Sequence, residues 1–156
     1  MRILVVSDIH ESETALWAAL DEQPTARTVL FLGDGLRRVE QTAERFTEHT
    51  FYTVPGNCDF AAMQPKARLE IIGGKRIFFT HGHLYGVKSD PEPLWTAARE
   101  RGADIVLFGH THQPMQEYRD GLYILNPGSL GYGGTYGYID LTPSGGIVTN
   151  VVSLRR

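Results

Sequence analysis

Cysteine is nearly missing from this chain of 156 residues. Cys58 stands alone, so no intramolecular disulfide can form, and a reducing cytoplasm is the expected location. Long apolar runs are missing too. Nothing approaches the roughly 20 consecutive apolar residues of a membrane-crossing helix, and the apolar stretch 3–6 behind Met1-Arg2 is too short for a secretory signal. Positive charge is not in excess: 15 Lys and Arg against 18 Asp and Glu give a net charge of −3. That balance lacks the basic surplus of a protein bound to nucleic-acid backbone, so neither stable nucleic-acid binding nor membrane association is expected. Two catalytic signatures are also absent. No G-x-x-x-x-G-K-[ST] or helix-opening G-x-G-x-x-G sequence cradles a nucleotide phosphate, and Ser129 lacks the G-x-S-x-G surroundings of a serine hydrolase. With no repeats, low-complexity tract or linker, residues 1–156 read as a single domain, and 42% hydrophobic with 21% charged content suits a globular core.

What is present is an alternation of strand-like and helix-like segments. Residues 3–6 and 28–32 are short apolar runs rich in β-branched side chains, as expected of strands buried on both faces. Between them, residues 13–22 carry Ala15, Leu16, Ala19 and Leu20 at helical spacing, with Ser12 as N-cap and Pro24 as the stop. Residues 36–48 repeat the helical pattern through Leu36, Val39, Ala43 and Phe46, and 50–54 form a third strand. Segments 69–72 and 76–80 flank Gly73-Gly74 as a hairpin, 91–101 is a third helix closed by Gly102, and 105–108 is another buried strand. Beyond it, 115–118, 123–125, 137–141 and 147–154 are short strands parted by turns, and loops are expected at 60–66 and 130–135. The early βαβα part implies parallel strands with right-handed crossovers, and the late hairpins imply antiparallel ones. The fold class is α/β, a mixed β-sheet sandwich flanked by helices.

Metal-competent side chains gather where these strands run out. Ser7-Asp8-Ile9-His10 follows the first strand, Gly33-Asp34-Gly35 the second and Gly56-Asn57-Cys58-Asp59 the third. His81-Gly82-His83 follows segment 76–80, and Gly109-His110-Thr111-His112 follows 105–108. The carboxyl ends of parallel strands share one sheet edge, the usual place for a ligand. All of the histidines except His49 lie in these loops. Singly, a histidine at a strand end is ordinarily a polar surface residue, and an aspartate beside glycine a turn former. Five such loops on one edge are better explained by a shared site. Nitrogen and oxygen donors without thiolates suit Mn, Fe, Zn, Co or Ni, in contrast to an all-oxygen calcium cage or a cysteine-rich structural zinc site. The Asp-x-His and His-x-His spacings turn both partners to one side of an extended segment.

These motifs, in this order, resemble the calcineurin-like metallophosphoesterase superfamily. Its pattern is D-x-H, G-D, G-N-x-D, a G-H or H-G-H segment and G-H-T-H, here Asp8-Ile9-His10, Gly33-Asp34, Gly56-Asn57-Cys58-Asp59, His81-Gly82-His83 and Gly109-His110-Thr111-His112. Asn126-Pro127-Gly128-Ser129 and residues 136–141 are similar to its small YfcE-like branch. The resemblance implies a four-layer αββα arrangement and a metal-dependent phosphoesterase, a phosphodiesterase by branch. It implies two divalent ions, manganese first, with nickel, iron, zinc, cobalt or magnesium as alternatives. Asp8, His10 and His112 would hold one ion, Asn57, His81 and His110 the other, and Asp34 both. A hydroxide bridging the ions would then attack the phosphorus of a small phosphate ester or diester, with no covalent enzyme intermediate.

One position departs from much of the superfamily: Cys58 stands where a histidine follows the asparagine, although G-N-C-D is common in the YfcE-like branch. An untuned thiol is a poor acid for an alkoxide leaving group. His83, two residues from His81, is the candidate for that catalytic role beside Asp34 and Asn57, with hydrogen bonding behind the ligands as the other reading. Cys58 itself is expected to be a small buried hydrophobe, Asp59 a turn residue, and the glycine- and tyrosine-rich stretch 131–137 a flexible loop, not a tyrosine wall. Trp95 fits either a core or an interface, and a homo-oligomer is allowed. The alternative function is a non-catalytic interaction scaffold of the same fold, as in the eukaryotic retromer subunit resembling this branch. Retention of all seven ligand positions favours catalysis.

Overall fold

The computed structural model describes residues 1–155. Its first sheet contains β1 (Arg2–Val6), β2 (Thr28–Phe31), β3 (Thr50–Thr53), β9 (Thr135–Leu141) and β10 (Ile147–Ser153), in the order β10-β9-β1-β2-β3. The second contains β4 (Ala67–Ile72), β5 (Lys75–Thr80), β6 (Ile105–Leu107), β7 (Met115–Arg119) and β8 (Leu122–Asn126), in the order β4-β5-β6-β8-β7. Each sheet contains three parallel strands: β1, β2 and β3 in one, with β3 at its edge, and β5, β6 and β8 at the centre of the other. Antiparallel strands complete the other edge of the first sheet and both edges of the second.

The continuous apolar runs follow from burial on both faces. Along β1, Ile3 and Val5 face Leu30, Leu32, Ile77, Phe79, Ile105, Leu107 and Leu125 in the core between the sheets. The alternate residues Leu4 and Val6 pack on α1 (Glu13–Glu22) and α2 (Leu36–Arg45) through Leu16, Ala19, Leu20 and Val39. On the far side, Phe78, Val106 and Ile124 pack on α3 (Glu92–Glu100) through Leu94, Trp95 and Ala98. Helices, sheet, sheet and helix thus form four layers, with each fully buried Leu, Ile or Phe contributing about 1.5–3 kcal/mol. Trp95, only 2% exposed, is core.

Several expectations need correction. Ser12 precedes α1 but its side chain makes no capping bond. α2 stops at Arg45, where Phe46 departs from helical geometry, so 46–48 lie outside it. The late strands are not wholly antiparallel. Asp120-Gly121 does turn β7 into β8, but β7 takes the edge and leaves β8 beside β6 in parallel. Residues 130–135 are not a plain loop: Leu130–Gly133 form a one-turn helix, α4, whose Tyr132 N–H donates to Ser129 Oγ at 3.0 Å. Among the described residues, no helix is long and apolar enough to cross a membrane.

Candidate metal centre

Six parallel strands, three from each sheet, end along one seam. Backbone bonds lace it shut: Asp8 N–H donates to Gly33 O and His10 N–H to Asp34 O, both at 2.9 Å, and Leu130 N–H donates to Ser7 O at 3.0 Å. In the second sheet, Gly109 N–H donates to His81 O at 2.9 Å. Asp8, His10, Asp34, His110 and His112 all adopt left-handed backbone, with φ of 53°, 51°, 65°, 69° and 60°. Such residues cost on the order of 1 kcal/mol or more each and persist where their surroundings fix them. The turns swing side chains off the strand axes into the seam. Gly33 permits a close approach of three loops: a Cβ there would lie 2.6 Å from Gly56 N and 2.7 Å from His81 Nδ1.

Asp8 is fully buried at the centre. Its carboxylate accepts bonds from Ser7 Oγ at 2.5 Å and His110 N–H at 3.1 Å, and His112 Nε2 lies 3.1 Å from Oδ1. Donor atoms of Asp8, His10 and His112 lie within 4.8 Å of one another, as do those of Asp8, Asp34 and His81. His81 is oriented by its Nδ1–H, which donates to Leu32 O at 2.7 Å across the sheets. Its Nε2 therefore faces the site, 3.0 Å from Asn57 Oδ1, 3.3 Å from Asp34 Oδ2 and 3.9 Å from Asp8 Oδ1. Locking one ring nitrogen to a carbonyl is the usual way to aim a histidine ligand.

Burial acts against charge on Asp34, but the hydrogen bond and charge of His81 and the Cys58 N–H outweigh it, holding the carboxyl well below the usual carboxylate range. His81 is the mirror image: burial lowers its pKa, and Asp34 and Asp8 more than reverse this. Burial, with the charge of His81, takes His110 down to about 4 and also lowers His83. Neutral imidazoles present the lone pairs that metal ligation requires.

Do these residues fit divalent ions? First-row ions with ligand bonds of about 2.0–2.2 Å hold neighbouring donors roughly 3.0–3.5 Å apart. The separations of 3.1 Å at Asp8–His112 and 3.3 Å at Asp34–His81 match. Among the described residues, His10 Nε2 is buried with no hydrogen-bond partner, a polar atom that metal ligation would satisfy. Asn57 joins through His81, whereas His110 packs edge-on to the His81 ring at 5.0 Å and, among the described residues, enters none of the groups whose donors lie within 4.8 Å. Cys58 enters one such group with His10 and Asp34, but burial and the charges of Asp34, Asp59 and Asp8 push its thiol pKa up, which disfavours a thiolate ligand. Cys58 as a residue is exposed, contrary to the expected buried hydrophobe, even though its sulfur is partly desolvated.

His83 opens a single 3-10 turn, His83–Tyr85, after left-handed Gly82. Its ring lies 5.4 Å from that of His81, and its Nδ1 is buried without a partner among the described residues. Asp59 does more than shape a turn. Its carboxylate accepts backbone N–H bonds from Asp34, Gly35, Leu36 and Gly56 at 2.8, 2.9, 3.0 and 2.8 Å, capping α2 and holding two of the loops. An acidic residue capping from another segment has no local spacing to announce it. Asn126, at the sixth strand end, donates to Gly109 O and Thr111 Oγ1, and Ser129 Oγ donates to Asp8 O. Their clue was Asn126-Pro127-Gly128-Ser129, placed at another strand terminus. Tyr132, expected in a flexible loop, stacks on His10 with ring centroids 4.4 Å apart.

A model of the calcineurin-like phosphoesterase superfamily domain matches residues 1–142. The chain belongs to that superfamily. It is 33% identical to the probable metallophosphoesterase YsnB of Bacillus subtilis over 130 residues, 83% of this chain and 75% of YsnB. It is 32% identical to the phosphodiesterase YfcE of Escherichia coli, covering 90% of this chain and 88% of YfcE, the branch its motifs implied. The crystal structure of Vps29 from Entamoeba histolytica, complexed with zinc, shares the fold with a TM-score of 0.72 at 22% identity, covering 99% of this chain and all of that one.

Proposed function

We propose that this superfamily member is a dinuclear, metal-dependent phosphodiesterase acting on small phosphate diesters. The observation that carries the reading is the convergence of Asp8, His10, Asp34, Asn57, His81 and His112 on one seam, with His81 Nε2 turned inward and His10 Nε2 without a partner among the described residues. Asp8, His10 and His112 would hold one ion, Asn57, His81 and His110 the other, and Asp34 both. When bound, two such ions lower the pKa of water and neutralise the oxygens of a phosphate. The protein's part is to keep carboxylates and imidazoles fixed before substrate arrives. Asn57 contributes a neutral carbonyl that limits the negative charge facing an anionic substrate. His83, with its depressed pKa, is neutral near pH 7, which suits an N–H donor orienting the phosphate better than an acid protonating an alkoxide. Good leaving groups are therefore the expected substrates. Manganese is the first ion to test, because this donor set also suits iron, zinc, cobalt and nickel. A cytoplasmic location accompanies this reading.

Purified protein is expected to hydrolyse bis(4-nitrophenyl) phosphate with Mn²⁺ and to lose that activity to a chelator. Asp34→Asn should remove nearly all turnover. Metal binding without hydrolysis of any mono- or diester, across the divalent series, would sink the catalytic reading and leave the interaction scaffold.

A further inference from the structure

Beside the metal-competent residues lies a cleft of about 770 Å³, between the start of α2, segment 58–64 and Tyr132. It is continuous with the site, because His10 is part of its wall. Three large apolar side chains line it while standing almost free of the protein: Phe60 is 89% exposed, Met63 93% and Tyr132 72%. Single exposed hydrophobes are unremarkable, but three around one concavity mark a place where something apolar binds. Tyr132 is anchored by stacking on His10 at 24° between ring planes, so it is a fixed surface and not a mobile tip. Ala61, next to Phe60, has a left-handed φ of 61°, a strained conformation for alanine that fixes the turn presenting Phe60. The charged residues sort themselves. Arg38 is engaged by Glu11 at 2.7 Å, and Glu40 accepts from Gln64 at 3.4 Å. Arg37 lines the cleft with no side-chain partner among the described residues.

We propose that this cleft binds an aromatic group on the non-leaving side of the phosphodiester, a nucleobase or an aryl ring, with Phe60 and Tyr132 as stacking surfaces, Met63 as an adaptable wall and Arg37 as the free cation at the rim. The assignment rests on the phosphodiesterase reading and supplies its substrate class. A volume of this size suits a nucleoside-sized group. Aromatic stacking tolerates different rings because each presents a π-face.

The test compares three diesters that share the 4-nitrophenolate leaving group and differ in the other ester: methyl, benzyl and thymidine 5′. With the full chain and Mn²⁺, the aromatic esters should exceed the methyl ester in kcat/KM by about tenfold. Phe60→Ala should bring that ratio close to unity and Phe60→Trp should restore it. A gain for thymidine alone identifies a nucleobase, and a gain for both identifies any aryl ring. Equal kcat/KM for all three, or a ratio that survives Phe60→Ala, overturns the assignment. Calorimetric binding of benzylphosphonate against methylphosphonate gives an independent arm. If no diester is hydrolysed with any divalent ion, the phosphodiesterase reading fails. The cleft is then judged by binding alone: tighter benzylphosphonate binding that Phe60→Ala abolishes upholds the aromatic site, and equal binding overturns it.

Discussion

Replacing Asp59 with alanine removes a carboxylate that holds four backbone donors at 2.8–3.0 Å, those of Asp34, Gly35, Leu36 and Gly56. Hydrogen bonds to a charged group contribute about 1.5–3 kcal/mol each, and loss of an N-cap alone costs about 0.5–2 kcal/mol. Four such terms do not add in full. Asp59 is half-buried, so water can reach some of the freed N–H groups, and α2 can fray at its first turn. A loss of about 3–4 kcal/mol is expected, a large share of the roughly 5–15 kcal/mol that stabilises a typical domain. Asp59→Asn should fare little better. One amide oxygen can keep two of the bonds, but the NH₂ group then confronts two N–H donors. The damage reaches the metal site because the freed N–H of Asp34 belongs to a residue held at φ 65°, and the freed N–H of Gly56 belongs to the turn carrying Asn57. Urea unfolding of the metal-free variants measures the stability loss, and calorimetric Mn²⁺ titration measures the affinity. A stability change under about 1 kcal/mol with unaltered metal affinity would refute the view that Asp59 is the brace of these two loops.

His83→Ala is expected to lower kcat for bis(4-nitrophenyl) phosphate by about 10²-fold with metal content unchanged, the size of losing one hydrogen-bond donor to the reacting phosphate; unchanged kcat with full metal content would remove His83 from the mechanism. Gly33→Ala should cost about 3 kcal/mol or more, combining left-handed strain with a Cβ 2.7 Å from His81 Nδ1, and it should loosen metal binding by pushing His81 off Leu32 O. The pair Arg2–Asp140 provides a pH test. Arg2 hydrogen bonds and charge hold the Asp140 carboxyl below its usual value, so its contribution is present above about pH 4 and disappears as pH falls through the depressed native value. At one-third exposure the pair is worth about 0.5–1 kcal/mol. Urea curves of Asp140→Asn should accordingly differ from wild type at pH 7 and converge toward pH 3.

The sequence announced strand ends better than what lies between them. Apolar runs such as Ile3–Val6 and Ile105–Leu107 are legible because burial on both faces leaves no alternation, and each stops at a polar motif. The pairing was less legible. Nothing local says that β8 pairs with β6 in parallel, since the turn Asp120-Gly121 specifies only the hairpin to β7. The ligand candidates were visible as residue types, while their supports were not. Asp59 grips α2 from 23 residues away, and Ser129 reaches Asp8 across 121. Such contacts are properties of the assembled sheets. The left-handed turns at Asp8, His10, Asp34, His110 and His112 were likewise hidden, because Asp and His are enriched in that conformation yet only a small fraction of them adopt it, so residue type alone does not mark the positions.

The candidate site and the join between the sheets are one structure. Asp8 leaves the first sheet and receives His110 N–H and His112 from the second. His81 leaves the second sheet and donates to Leu32 of the first. Leu130 and Gly131, beyond β8, donate to Ser7 O and Asp8 O at the end of β1. Asp8 and His81 are therefore each positioned by bonds to the opposite sheet, so a small slide of one sheet over the other would disturb several ligand candidates together. The core that prevents sliding, from Ile3 and Leu32 to Phe79 and Leu125, begins directly beneath these loops. Close packing makes that core resistant to gradual deformation. This explains how a chain of 156 residues can hold two buried carboxylates, five left-handed residues in three loops and two imidazole nitrogens without partners among the described residues in one place. The cost is distributed into sheet packing that the fold requires in any case, and the preorganised donors are what a catalytic metal site needs before an ion or a phosphate arrives.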